Sequence, residues 1–155
     1  MTVALTSPIT GGAQTGFTAP TYTHVPDVAP DVNGKQVAVT ALGGTQAGVT
    51  VHSVSSPFTG TFVRPKTFKA LGKTNPVTGL LPSVPKNQFE WIFRKGVTPL
   101  AGQPFSIAMG KVTLSIPAGS DVADAPNLRA LLSVMIGALN QVSAGLGDTV
   151  VSGIA

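Results

Sequence analysis

Up to Ile116, hydrophobic and polar positions alternate mostly with a period of two, the signature of half-buried strands. In Lys35–Leu42, Val37, Val39 and Ala41 share one face, and Gly43-Gly44 ends the run. Val49–Ser53 repeats the pattern with Val49 and Val51 inward. Thr59–Lys69 reads as a further strand, with Pro65 marking an edge position or a bulge. Its parity is ambiguous, because Phe62, Arg64, Lys66 and Phe68 share one face. The clearest strand is Gln88–Lys95, where Phe89, Trp91 and Phe93 oppose Gln88, Glu90, Ile92 and Arg94. Phe105–Ile116 closes the series, with Val112, Leu114 and Ile116 inward and Lys111, Thr113 and Ser115 outward. Pro- and Gly-rich loops, Gly72–Pro85 and Gly96–Pro104, flank the aromatic strand. Residues 1–34, rich in Thr, Pro and Gly, read as an extended arm with a strand at Thr21–Val25.

The period then changes. Asp124 is a natural helix N-cap, and Pro126 sits in the first turn, where its missing N–H costs nothing. Leu128, Leu131, Leu132, Met135, Ile136 and Leu139 follow at helical spacing, and Ala130, Val134 and Ala138 form a smaller second apolar face. A helix apolar on two sides needs two partners, its own sheet and something else. Burying the six large side chains is worth about 9–18 kcal/mol, an upper value because the unfolded chain is partly collapsed. Gly145 and Gly147 are expected to stop the helix, and Asp148 to cap one more short turn or two over Thr149–Ile154. Strands followed by helices make an α+β fold. Two helices cannot cover both faces of a sheet of five or more strands, so one face stays open or meets another molecule. By parity its polar positions are Glu90, Arg94, Lys111, Thr113 and Ser115, a surface suited to single-stranded RNA.

Composition sharpens this picture. The 155 residues are one domain's worth, and 10% are charged, against about 25% in an ordinary soluble domain. Yet 43% are hydrophobic and the mean hydropathy is +0.32, with no apolar run long enough for a membrane span. Met1 to Asp27 holds no Lys or Arg, so the basic start of a signal peptide is missing. Too little charged surface for the size implies burial against other copies of the same chain. From residue 64 to 111 come eight basic residues (Arg64, Lys66, Lys69, Lys73, Lys86, Arg94, Lys95, Lys111) against Glu90 alone. With Phe62, Phe68, Phe89, Trp91 and Phe93 interleaved, this block suits a polyanion. The competing reading is a lysine-bearing strand face that resists edge-to-edge aggregation.

Chemistry is sparse. Cysteine is absent, which excludes disulfides and thiolate chemistry, and two histidines, His24 and His52, are too few for an all-imidazole metal site. Gly110-Lys111 runs into Val112, so no phosphate loop is present, and there is no Gly-x-Ser-x-Gly elbow. Asp121 and Asp124 have an ordinary role at a helix start. Trp91, between Phe89 and Phe93 of the same parity, reads as sheet core rather than a base-stacking platform. The expectation is a protein with no enzyme activity, metal or cofactor.

Lys111-Val112-Thr113-Leu114-Ser115-Ile116-Pro117 running into Gly119-Ser120-Asp121, then Asn127-Leu128-Arg129-Ala130-Leu131-Leu132 and Gly137-Ala138-Leu139-Asn140, resembles the coat protein of single-stranded RNA bacteriophages, the levivirus group. Gly60–Lys66 and Phe93-Arg94-Lys95-Gly96 resemble its more divergent members. The resemblance implies a single domain: an N-terminal hairpin (1–34), a five-stranded antiparallel sheet (35–117) and two C-terminal helices (118–155). It implies an interlocked homodimer, each subunit laying its helices across its partner's sheet through Leu128, Leu131, Leu132, Met135, Ile136 and Leu139. Dimers then form an icosahedral shell around genomic RNA, with no membrane involved. The virion is assembled in the host bacterial cytoplasm, and an RNA hairpin bound by the dimer represses translation. The RNA-facing positions carry over to Gln88, Glu90, Ile92, Arg94, Met109, Lys111 and Thr113, with Arg64 and Lys66 added by charge. Ile92 and Met109 depart from the polar or aromatic residues common there, which weakens sequence-specific recognition more than packaging. The Gly96–Pro104 loop matches the family's loop at the symmetry axes. Rival readings are a free RNA-binding regulatory dimer and an adhesin-like module.

Overall fold

A computed structural model describes residues 3–154. Met1 and Thr2 of the expected N-terminal segment, and Ala155 of the C-terminal one, lie outside the described residues. Six strands, β1 (Ile9–Thr10), β2 (Thr18–Asp27), β3 (Gly34–Thr45), β4 (Phe58–Val63), β5 (Lys86–Val97) and β6 (Ser106–Pro117), precede three helices. These are α1 (Ser120–Ala123), α2 (Ala125–Gln141) and α3 (Ser143–Ser152). Every strand pairs antiparallel with its sequence neighbour, in the order β1-β2-β3-β4-β5-β6. The expected α+β class with a hairpin, an antiparallel sheet and C-terminal helices is the observed one, but β3–β6 supply four strands where five were expected over 35–117, and the helices number three rather than two. The β1–β2 hairpin lies within residues 1–34 and joins the main sheet through β2.

Several local expectations are corrected. Val49–Ser53 is an irregular return rather than a strand. It makes a single ladder-like bond, from the His52 N–H to the Val39 carbonyl, and the His52 ring then accepts the Phe58 N–H through Nδ1 where β4 begins. β4 ends at Val63 instead of running to Lys69, because Pro65 has no N–H to give a ladder. β2 and β3 pair with two register shifts, one at Thr18–Thr21 and one at Thr23–His24. At the first, Gly44 has φ +71 and a Cβ there would strike the Thr18 and Ala19 carbonyls, so only glycine fits.

The helices also differ from expectation. Asp124 occupies the N-cap position of α2 without a side-chain capping bond, and its carboxylate accepts from Asn127 Nδ2 at 2.8 and 2.9 Å. The break between α2 and α3 falls at Val142, and the helices meet at 60°. Gly145, Gly147 and Asp148 lie inside α3 rather than ending a helix. Gly147 allows the Gln14 side chain to approach the helix, a position a Cβ would occupy. Gln14 Nε2 donates to the Ser143 carbonyl, the Ser143 hydroxyl donates to the Ala13 carbonyl, and the Thr15 hydroxyl donates to Asp148. These bonds tie α3 to the turn of the β1–β2 hairpin.

The core is very small. Among the described residues only Ala38, Val39 and Ala118 are buried hydrophobics, and the largest fully buried side chains are Thr61 and Ser56. No helix carries a buried residue, and none packs extensively on β3–β6 of its own chain. The accessible surface is 10709 Å². A compact monomer of 15.7 kDa exposes about 7,300 Å². The chain thus shows roughly 3,400 Å² more than a self-sufficient domain of its mass, on the scale of an extensive obligate interface.

Candidate nucleic-acid interface

The sheet has two chemically distinct faces, and the cross-strand register fixes their membership. On one face Trp91 lies opposite Phe62 and Val112, Phe93 opposite Gly60 and Gly110, and Phe89 opposite Leu114. Phe62 stands 5.1 Å from Trp91 between ring centroids, and Trp91 stacks on Phe93 at 5.8 Å. Gly60 leaves the space the Phe93 ring occupies, since a Cβ there would sit 3.1 Å from it. Phe93 is nonetheless 49% exposed. This aromatic face has no cover from its own chain's helices.

The opposite face is polar. Gln88 pairs with Ser115, Glu90 with Thr113, Ile92 with Lys111 and Arg94 with Met109, so seven expected RNA-facing side chains gather on one surface. Alternation along two paired strands is sufficient for this, because successive side chains point to opposite sides. Gln36, Thr59 and Thr61 continue this side of the sheet across β3 and β4, with Thr59 and Thr61 buried. A hydrogen-bond chain crosses four strands here. Arg94 Nη1 donates to the Thr61 hydroxyl (3.4 Å), which donates to Gln36 Oε1 (2.7 Å), while Gln36 Nε2 donates to Asp27 Oδ2 (2.6 Å). The Gln36 amide and the Val28 N–H hold the Asp27 carboxyl below the usual carboxylate range. Arg94 is thereby oriented without being neutralised. Lys111 differs, because its ammonium lies 2.8 Å from Glu90 Oε1.

Two expected residues fall elsewhere. Arg64 lines a cavity of about 500 Å³ with Phe62, Phe68, Phe89 and Lys35, on the aromatic side. Lys66 lies in the exposed chain beyond β4, where it adds a little to the Asn33 hydrogen bonds that favour the ionised form of Asp31. Lys86 and Lys69 were missed. Lys86 has the parity of Gln88 and Glu90, and would have been found had the strand been started two residues earlier. Lys69 is brought in by the Asn87 side chain, which accepts its N–H at 2.8 Å and donates to its carbonyl at 3.1 Å. Both line a cleft with Gln88 and Glu90.

The expected helix stripe divides by exposure. Leu128, Leu132 and Met135 are half-buried, whereas Leu131, Ile136 and Leu139 are exposed, Ile136 by 62%. Between α2, α3 and the hairpin lies an open groove of about 640 Å³ lined by Phe17, Leu139, Leu146, Val150 and Val151. Among the described residues no three His, Asp or Glu side chains are placed to hold a metal ion. No single helix there is long and apolar enough to cross a membrane.

No protein-family model matches the chain, and no curated protein does. A solved structure, the virus-like particle of bacteriophage ESE020, contains a chain 52% identical to this one. The match covers 99% of this chain and 100% of that one, with a TM-score of 0.96. This chain belongs to that family of phage capsid proteins. Membership explains why so apolar a chain folds with so little core, since a capsid protein meets its own copies over much of its surface. For a phage capsid protein, the residues to examine are those that join copies and those that face the contents.

Proposed function

We propose that the chain is the coat protein of a single-stranded RNA phage of the levivirus group, and that two copies interlock before any shell forms. Each would lay α2 and α3 over the aromatic face of the other, placing Leu128, Leu131, Leu132, Met135, Ile136 and Leu139 against partner rings. The single observation that carries this reading is that an uncovered aromatic sheet face and a helix with no buried residue occur in one chain. Each is the missing half of a core. The sheet edge supports the same pairing. β6 is a 12-residue edge strand with one charge, Lys111, and no proline before its last residue, so its free backbone groups lack the usual protection. Antiparallel pairing of two such edges would join the two sheets into one.

Dimers would assemble into an icosahedral shell in the host bacterial cytoplasm, with the polar face inward on the RNA genome. Arg94, Lys111, Lys86 and Lys69 would neutralise phosphates, while Gln88, Thr113 and Gln36 would offer hydrogen bonds to bases and riboses. Such a surface would also hold an RNA hairpin and so repress translation of another phage gene. No covalent step is involved. Sedimentation of the expressed protein, with extraction and sizing of any nucleic acid, tests the reading. Megadalton particles releasing ribonuclease-sensitive material are expected. A dimer that binds RNA without forming particles would assign a free regulator, and nucleotide-free protein would remove RNA from the function.

A further inference from the structure

The Glu90–Lys111 pair stands in the middle of the surface that gathers cations, and it is the only salt bridge among the described residues. Its two side chains are 26% and 44% exposed. It is a diagonal pair, because Lys111 lies opposite Ile92 and Glu90 opposite Thr113. The strands do not depend on it, since β5 and β6 are already in register over all twelve residues from Lys86↔Pro117 to Val97↔Ser106. Exposed ion pairs add little to stability. A carboxylate there repels phosphate and removes one cation from the face.

We propose that Glu90 is a specificity-determining residue for RNA, holding Lys111 so that only RNA able to displace or satisfy the carboxylate gains that contact. The inference rests on the reading that the polar face meets RNA. Arg94 supplies a charge available to any phosphate, because its neighbour is the neutral Thr61 hydroxyl. Lys111 is conditional. An RNA that only offers phosphate must break the Glu90 contact, whereas one presenting an exocyclic amine gives Glu90 a replacement donor as Lys111 turns to the backbone. Discrimination then comes from a penalty on the wrong ligand as much as from attraction to the right one. Lys69 and Lys86 share the cleft beside Glu90 but lie outside ion-pair distance of it, so the competition is centred on Lys111.

The test measures binding of the full-length protein to labelled oligouridylate, which has no exocyclic amine, across a salt series. Glu90→Gln keeps the shape and removes the charge. It should tighten oligouridylate binding and steepen the slope of log K against log salt by about 0.7, the share of one single-strand phosphate contact. Between 50 and 200 mM salt that is a further loss of about 2.6-fold. Adding Lys111→Gln should abolish the gain. Arg94→Gln serves as the reference and should make the slope shallower by about 0.7. If Arg94→Gln has this effect and Glu90→Gln has none, the inference is overturned and the RNA-facing surface stands. If neither substitution moves the slope, both are overturned.

Discussion

Trp91 and Phe93 lie parallel, their planes 4° apart and their ring centroids 5.8 Å from one another, on a sheet face left uncovered by their own chain's helices. Rings that remain in water forfeit the burial that makes aromatic residues stabilising. Trp91 is the chain's one tryptophan, so its emission reports on what covers this face. We expect blue-shifted emission in the native protein, moving to the red with dilution or denaturant in step with loss of the dimer. Emission unchanged through dissociation would mean that the covering element is not a partner.

Charge placed on the apolar stripe of α2 should act through association. Ile136→Asp or Leu132→Asp would bury an unpaired carboxylate in the joint core, at a cost of several kcal/mol. Soluble dimer should be lost and Trp91 emission should stay red. Arg129→Gln, a change at a polar position of the same helix, should leave dimer formation intact by size-exclusion chromatography.

Particles should carry less RNA when the polar face loses charge. Arg94→Gln and Lys86→Gln should each lower the RNA recovered per particle, and together should lower it further, as read by the ratio of absorbance at nucleic-acid and protein wavelengths. Arg64→Gln should have the smaller effect, because Arg64 lies on the aromatic side.

Acid should weaken the link between β2 and β3. The Gln36 amide and the Val28 N–H depress the Asp27 pKa in the folded chain. Their contribution is therefore present above the ordinary carboxylate range and lost as pH falls through the folded value. Asp27→Asn should lower the melting temperature slightly at neutral pH and flatten the acid limb, so that the two proteins converge at low pH.

Much of the fold was legible because two periodicities are nearly unbroken. The alternation from Gln88 to Arg94 placed one face of β5 correctly, and the spacing from Leu128 to Leu139 placed α2. Parity also told which β5 and β6 side chains share the polar face. What failed had local causes. Val49–Ser53 alternates like a strand, but β4 takes β3 only from Gly34 to Ala38, and the return segment adds a single bond beyond it, at Val39. Gly145 and Gly147 look like helix stops, yet glycine within a helix costs only about 1 kcal/mol, and at Gly147 it admits the Gln14 side chain of the hairpin turn. Arg64 was assigned by charge on a strand that Pro65 cuts short, so parity had nothing to act on. The Asn87 contact that brings Lys69 to the polar face is a side-chain bond between a loop and a strand, and no spacing rule encodes it.

The molar mass of the assembled and dissociated protein, followed by sedimentation with far-ultraviolet circular dichroism at each concentration, tests the account most directly. Particles should break down to dimers, and the dimers should lose secondary structure as they separate, since one copy lacks a sufficient interior. A folded, stable monomer at micromolar concentration would contradict it.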